Sequence, residues 1–139
     1  MPYQAYLAGD HVLVKNFIEA CKKSCGNICL KVILETGALQ TNENIYNASS
    51  LAIEAGADFI KTSTGKITEG ATLAGATSML LAIKASHKKC GFKAAGGIKT
   101  PQQAAEYLTL AKLTMGDNWV NPQTFRIGAS SLIDALYKL

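Results

Sequence analysis

The sequence predicts an α/β protein built on a parallel sheet. Short runs rich in β-branched and other apolar residues alternate with longer segments whose apolar residues recur every three or four positions. Strands that alternate with helices in this way run parallel, because each helix returns the chain to the starting edge of the sheet. The chain has 139 residues, of which 48% are hydrophobic and 17% charged, and this is enough for one domain with a sizeable core. We expect residues 1–139 to form that single domain.

The first predicted element is a helix that precedes the strands. Asp10 can cap it, Gly26 can end it, and its apolar positions recur at helical spacing. Cys21 and Cys25 lie on one face of this helix and Cys29 lies beyond its end, so the C-x3-C-x3-C series does not bring three thiols together. No cysteine and histidine group has the spacing of a zinc site. We therefore expect reduced thiols and no metal.

Four strand–helix units follow. The clearest helix start is a capping box, in which Thr100 is the cap, Pro101 takes the first helical position and Gln103 lies three residues after the cap. The predicted strands are residues 30–36, 58–63, 90–96 and 124–129, and the helices after them are residues 41–56, 72–87, 100–116 and 130–139. This order fits either an open doubly wound sheet or part of a (β/α)8 barrel. Both architectures place their chemistry at the carboxyl ends of the strands.

The charge and hydropathy patterns exclude several partners. The net charge of +4 is spread along the chain without a basic run, which argues against nucleic acid and favours a small anionic ligand. No run approaches the roughly 18 apolar residues of a membrane span. The N-terminal segment has neither the basic start nor the apolar core of a signal peptide. We expect a cytoplasmic protein without membrane contact.

Two lysines at predicted strand ends are the candidate catalytic residues. Lys61 follows Phe59 and Ile60, and Lys93 follows Phe92 on the next strand. Apolar surroundings and a neighbouring ammonium group both lower the pKa of a lysine, which an amine needs before it can attack a carbonyl near neutral pH. One lysine can then form a Schiff base while the other lowers its pKa and carries protons. The alternative, that the lysines lie at sheet edges and extend into water, fits their spacing equally well.

The segments after these strands are candidate phosphate-binding loops. They are rich in Gly, Ser and Thr and open toward helices, so their backbone N–H groups can point at an anion. The candidate binding residues are Thr64, Gly65, Lys66, Gly96, Gly97, Gly128, Ser130 and Ser131. Lys31 shares one face of the first predicted strand with Glu35, and it either lines the same site or forms a structural ion pair. A nucleotide P-loop is excluded, because Ile60 and Ile67 occupy the positions of its first glycine and of its Ser or Thr.

Four segments carry a family resemblance: LKVILETG from residue 30, AGADFIKTSTGK from residue 55, GFKAAGGIKT from residue 91 and FRIGASSL from residue 125. In order and spacing they closely resemble the second half of the deoxyribose-phosphate aldolases, which are class I aldolases of the (β/α)8 barrel type. The resemblance covers essentially the whole chain. It implies a partial barrel, consisting of the last four βα units preceded by one helix.

The resemblance also implies an activity, namely Schiff-base cleavage of 2-deoxyribose 5-phosphate to glyceraldehyde 3-phosphate and acetaldehyde without a metal or organic cofactor. It assigns the Schiff base to Lys61, the pKa-lowering role to Lys93, and the phosphate to the loop residues named above. Family members have four further βα units, one bearing an aspartate that takes part in proton transfer, and a C-terminal tyrosine implicated in proton abstraction. We expect residues 1–139 to contain no counterpart of either residue. We therefore expect a half-barrel that pairs with a second copy or with a separate front half, or that is not stable as a monomer. We expect it to be either an impaired aldolase or a non-catalytic fragment retaining a sugar-phosphate pocket.

Overall fold

The structure is a computed structural model that describes residues 1–137. Its centre is one sheet of four parallel strands in the order β1-β2-β3-β4. The strands are β1 (Lys31–Ile33), β2 (Phe59–Lys61), β3 (Gly91–Ala95) and β4 (Phe125–Gly128). A doubly wound sheet reverses its strand order at a switch point, whereas a barrel keeps consecutive strands side by side. The sheet therefore has the strand order of part of a (β/α)8 barrel, and this decides between the two architectures that fit the sequence.

The helices confirm the four predicted strand–helix units and add two short elements. They are α1 (Tyr3–Leu7), α2 (His11–Cys25), α3 (Thr36–Leu39), α4 (Asn42–Glu54), α5 (Leu73–Ser86), α6 (Pro101–Met115) and α7 (Ser131–Leu136), with a 3₁₀ turn at Asp117–Trp119. Helices α1 and α3 were not predicted, because one or two turns are too short to show a helical period. The predicted final helix extended to residue 139, and its last two residues lie outside the described part of the chain.

Side-chain caps set the starts of the long helices as predicted. Asp10 and Thr41 each accept a hydrogen bond from the backbone N–H of the third residue of α2 and α4, at 3.0 and 3.1 Å. The capping box of α6 is complete, since Thr100 accepts from the backbone of Gln103 and the side chain of Gln103 accepts from the backbone of Thr100. Each such cap is worth about 1 kcal/mol of helix stability.

The two faces of the sheet differ in polarity. The face that packs against α4, α5 and α6 is apolar, and its side chains are fully or almost fully buried. Its members include Val32, Ile60, Phe92 and Ala94. Period-two alternation of the strands places the charged residues of the sheet on the opposite face, which is less buried. This second face holds the candidate lysines.

Two further features bear on the surroundings of the sheet. Among the described residues, β1 and β4 each pair along one side only, which leaves one edge of each strand open. Within residues 1–137, no helix combines the length and the apolar character that crossing a membrane requires.

Candidate active site

The two candidate lysines lie side by side on neighbouring strands. Lys61 is the last residue of β2, and its Cα is in register with that of Lys93 on β3. Residues paired in this way across parallel strands project to the same face of the sheet, so both side chains leave the polar face next to each other. The structure thus brings together the two lysines that the sequence placed 93 − 61 = 32 positions apart.

Lys93 is surrounded by positive charge. Partial burial lowers the pKa of its amine, and the neighbouring cations Lys31, Lys61 and Arg126 lower it further. Burial and like charges act in the same direction, because each disfavours the ammonium form. A larger fraction of Lys93 is therefore neutral near pH 7 than of an ordinary lysine.

Arg126 is a member of this cluster that the sequence analysis missed. It lies in register with Lys93 on β4, and its guanidinium carbon is 4.1 Å from the centre of the Phe59 ring. Its Nε also donates to the carbonyl oxygen of Pro122 at 3.1 Å. The Phe59 ring covers Gly91, where a Cβ would approach the ring to 2.3 Å. The signal was present in the sequence, since period-two alternation puts Arg126 on the same face as Gly128, which the analysis did select.

Gly128 makes room for the Lys93 side chain. A Cβ at Gly128 would lie 2.7 Å from Cε and 3.3 Å from Nζ of Lys93. Any larger residue there would occupy the space that the amine now fills. The glycine that the sequence suggested for close approach of a phosphate therefore also accommodates a catalytic candidate.

A polar cavity of about 330 Å³ opens at the carboxyl ends of β2, β3 and β4. Its lining includes Lys61, Thr64, Gly65, Gly96, Gly97, Lys99, Gly128, Ser130 and Ser131. We call it the glycine-rich pocket. All but one of the loop residues predicted to bind phosphate line it; the exception, Lys66, follows Gly65 and is exposed to solvent. Lys99 was missed, although it is the first basic residue after the glycine pair that follows β3.

The loops that form this pocket are joined by hydrogen bonds. The hydroxyl of Thr62 donates to the carbonyl of Ala95 at 2.7 Å and accepts from the N–H of Ala95 at 2.9 Å. The N–H of Ala71 donates to the carbonyl of Gly96 at 2.9 Å. Gly96 has φ +100°, and a Cβ there would lie 2.4 Å from the hydroxyl of Ser63, so the contact between the loops requires glycine.

The interpretation that Lys31 and Glu35 share a strand face is wrong. β1 ends at Ile33, and Glu35 has a left-handed backbone with φ +63°, so strand alternation does not reach it. Its carboxylate accepts hydrogen bonds from Thr64, and these replace the suggested ion pair. Lys31, Glu35 and Thr64 line a second cavity of about 320 Å³ at the β1 edge. The structure therefore places Lys31 beside the glycine-rich pocket instead of within its lining, and a substrate contact for Lys31 stays a prediction.

A consecutive parallel sheet with paired amines and a glycine-rich pocket at its carboxyl ends defines the class of barrel-type α/β proteins whose site is built from the loops after the strands. Within this class, the chain belongs to the DeoC/LacD aldolase family, whose model matches residues 2–137. This confirms the resemblance found in the sequence motifs.

Individual relatives agree with this membership. The chain is 52% identical over 135 residues to a deoxyribose-phosphate aldolase of Agrobacterium fabrum, and the match covers 96% of this chain and 52% of that protein. It is similar to the apo form of a putative deoxyribose-phosphate aldolase from Toxoplasma gondii, with a TM-score of 0.87 and 28% identity over 95% of this chain and 52% of that one. A putative deoxyribose-phosphate aldolase from Coccidioides immitis gives a TM-score of 0.85 and 27% identity, covering 99% of this chain and 49% of that one. The chain spans about half the length of the relatives it matches.

Proposed function

We propose that this chain carries the Schiff-base site of a deoxyribose-phosphate aldolase, which reversibly cleaves 2-deoxy-D-ribose 5-phosphate to D-glyceraldehyde 3-phosphate and acetaldehyde. The observation that carries the proposal is the in-register pairing of Lys61 with Lys93 at the edge of the glycine-rich pocket. An amine beside an anion site suits a substrate with a carbonyl at one end and a phosphate at the other. The name of the Agrobacterium fabrum relative supports the choice of sugar.

Lys61 is the proposed nucleophile because it lines the pocket directly. Its neutral Nζ attacks the aldehyde carbon C1 of the open-chain sugar, and loss of water leaves an iminium. The C3 hydroxyl then loses its proton, the C2–C3 bond breaks, and the bonding pair moves toward the iminium to form an enamine as glyceraldehyde 3-phosphate leaves. Protonation at C2 and hydrolysis release acetaldehyde and free the amine. Lys93, with its lowered pKa, is the proposed carrier of these protons.

The glycine-rich pocket is the proposed phosphate site. Glycines in its lining let backbone N–H groups approach the anion closely, and the hydroxyls of Ser130 and Ser131 add donors. Lys99 in the lining supplies positive charge, and the exposed Lys66, which follows Gly65, adds to it. The substrate phosphate would then hold C1 near Lys61, which lines the same pocket.

Reductive trapping tests the proposal without requiring full turnover. Incubation with acetaldehyde and borohydride should place one ethyl group on Lys61, located by peptide mass spectrometry. Lys61→Met should lose this adduct. The matched control Lys88→Met, which removes an exposed lysine near the amino ends of the strands, should keep it. Adducts spread over surface lysines, with none favoured at Lys61, would contradict the assignment.

Two further measurements distinguish the proposed enzyme from a non-catalytic fragment: phosphate binding and cleavage of deoxyribose 5-phosphate. Phosphate binding without any adduct would favour the non-catalytic sugar-phosphate fragment, and cleavage of deoxyribose 5-phosphate would establish turnover. Pairing of the open β1 and β4 edges with a second copy, or with a separate front half, stays a prediction. Sedimentation velocity across a concentration series checks it, because self-pairing raises the sedimentation coefficient with concentration.

A further inference from the structure

Glu35 is a buried carboxylate that holds the loop after β2 from outside the glycine-rich pocket. Its side chain is 5% exposed. One carboxylate oxygen accepts from the backbone N–H of Thr64 at 3.0 Å, and the other accepts from the Thr64 hydroxyl at 2.5 Å. Hydrogen bonds to a carboxylate are stronger than those between neutral groups, and two of them fix the direction as well as the distance. These two hydrogen bonds leave Thr64 little freedom to move.

The backbone of Glu35 is strained in a way that serves this contact. Its φ and ψ are both 63°, a left-handed conformation that disfavours residues with a Cβ. Ladder-type hydrogen bonds flank it on both sides, from the N–H of Leu34 to the carbonyl of Lys61 and from the N–H of Thr36 to the carbonyl of Thr62, each at 2.9 Å. Glycine or asparagine would adopt this turn more readily. A glutamate held there by its neighbours points to a role for the carboxylate.

Thr64 transmits the contact into the pocket. While its hydroxyl donates to Glu35, the same oxygen accepts from the backbone N–H of Lys66 at 3.1 Å. Gly65 between them has φ +79°. The path from Glu35 through Thr64 to Lys66 thus sets the turn that carries Gly65. Thr64 and Gly65 line the glycine-rich pocket, whereas Glu35 lines the separate cavity at the β1 edge.

We propose that Glu35 is a positioning residue for the phosphate half of the site: it holds the Thr64–Lys66 turn so that the turn can bind the substrate phosphate. This inference rests on the proposed function, because it assigns the turn to the phosphate of that substrate. It does not involve the amine chemistry, since acetaldehyde carries no phosphate.

The variant Glu35→Gln tests this inference, because a positioning role and a purely electrostatic effect predict opposite changes in phosphate affinity. Glu35→Gln removes a negative charge near an anion site, and the charge change alone should tighten phosphate binding. Positioning requires weaker binding, because the amide cannot accept from both Thr64 donors as a carboxylate does. We expect a loss of about ten-fold in affinity, the order set by one charged hydrogen bond.

The experiment uses inorganic phosphate as the probe, and the dissociation constants are obtained from the NMR chemical shifts of the backbone amides during a phosphate titration. The same samples are trapped with acetaldehyde and borohydride. We expect Glu35→Gln to weaken phosphate binding and to leave the rate of adduct formation on Lys61 within about two-fold of the original chain. A change confined to phosphate is a result that general loss of structure cannot give.

Thr64 variants keep the inference testable if Glu35→Gln folds poorly. Thr64→Ser retains the hydroxyl and the near-isosteric Thr64→Val loses it, so the valine variant should bind phosphate about ten-fold more weakly than the serine variant. The double variant with Glu35→Gln should be no weaker than Thr64→Val alone, because both changes break one path. Unchanged or tighter binding by Glu35→Gln, or equal binding by the serine and valine variants, overturns the inference. If the original chain binds no phosphate, the proposed phosphate site itself is wrong, and that result is distinct because it precedes any variant.

Discussion

Gly128→Ala should displace the Lys93 amine while leaving the fold almost intact. The added Cβ would lie 2.7 Å from Cε of Lys93, whereas carbon atoms in contact prefer about 3.5–4.0 Å. The lysine tip must therefore move by about 1 Å. Gly128 does not have positive φ, so alanine adds no backbone strain. The added Cβ would also lie 3.1 Å from Cβ of Ala95, which must give way by a few tenths of an ångström. Moving a flexible side chain out of its rotamer costs about 1 kcal/mol, so we expect the free energy of unfolding to fall by about 1 kcal/mol.

Gly91→Ala is the matched control, because it adds the same methyl group on the same face with the opposite consequence. Its Cβ would lie 2.3 Å from the ring of Phe59, which is buried beneath Arg126 and cannot swing away as a lysine can. Overpacking of this kind costs about 1–3 kcal/mol. The two alanine variants thus separate a displaced amine from a strained core.

Urea unfolding measures the stability of the two variants, and acetaldehyde trapping measures the reactivity of Lys61 in each. For Gly128→Ala we expect near-original stability with adduct formation on Lys61 slowed by about 10- to 100-fold, because a shift of 1 Å in a reacting group can cost that much. For Gly91→Ala we expect the loss of stability to be the main effect. Trapping at the original rate in a well-folded Gly128→Ala variant would refute the reasoning, since it would mean that the place of the Lys93 amine does not affect its neighbour.

Three other outcomes follow from charge and burial. Arg126→Met removes one of the cations near Lys93, so the pKa of Lys93 should rise toward its ordinary value; NMR titration of the lysine Cε signals measures this, and an unchanged pKa would contradict the proposed coupling. Burial raises the pKa of Cys90 to about 12, whereas Cys29 is exposed, so iodoacetamide at about pH 9 should modify Cys29 but not Cys90 in the folded chain, and should modify both of these thiols in urea. Burial would raise the pKa of Asp58, but hydrogen bonds from a lysine ammonium and a backbone amide outweigh it and lower the pKa. The stability gained from Asp58 is therefore present above about pH 4 and is lost as pH falls through the lowered pKa. In Asp58→Asn, the free energy of unfolding should fall less steeply as the pH is lowered below about 4.

The sequence could predict the elements whose signals are local. Helix caps such as Asp10 and Thr100 act within three residues, and the spacing of apolar positions identifies the helices that they start. The strands were predicted too long, because the sequence does not show whether a polar residue at the end of a strand still pairs with the neighbouring strand. At Glu35 the chain turns left-handed, and the contacts that hold it there are to residues 61–64, which are distant in the sequence.

In the candidate site, too, local signals could be predicted and contacts between distant residues could not. The two lysines and the glycine-rich loops could be predicted, because their types and their places after apolar runs carry the signal. Strand alternation could have placed Arg126 on the face of the two lysines, but its stacking on Phe59 could not be predicted, since this depends on the space left by Gly91 on the strand between them. Contacts of this kind form only when three strands are assembled.

The hydrogen bonds between the loops after β2 and β3 have a consequence for motion. Thr62 and Ala71, on either side of the first loop, are both bonded to the end of β3 and the glycine that follows it. Opening one loop must break the bonds of the other, so the two should open as a single cooperative unit. Amide hydrogen exchange at Ala71 and Ala95 should therefore proceed with matched opening free energies, and an anion bound to either loop should slow exchange in both.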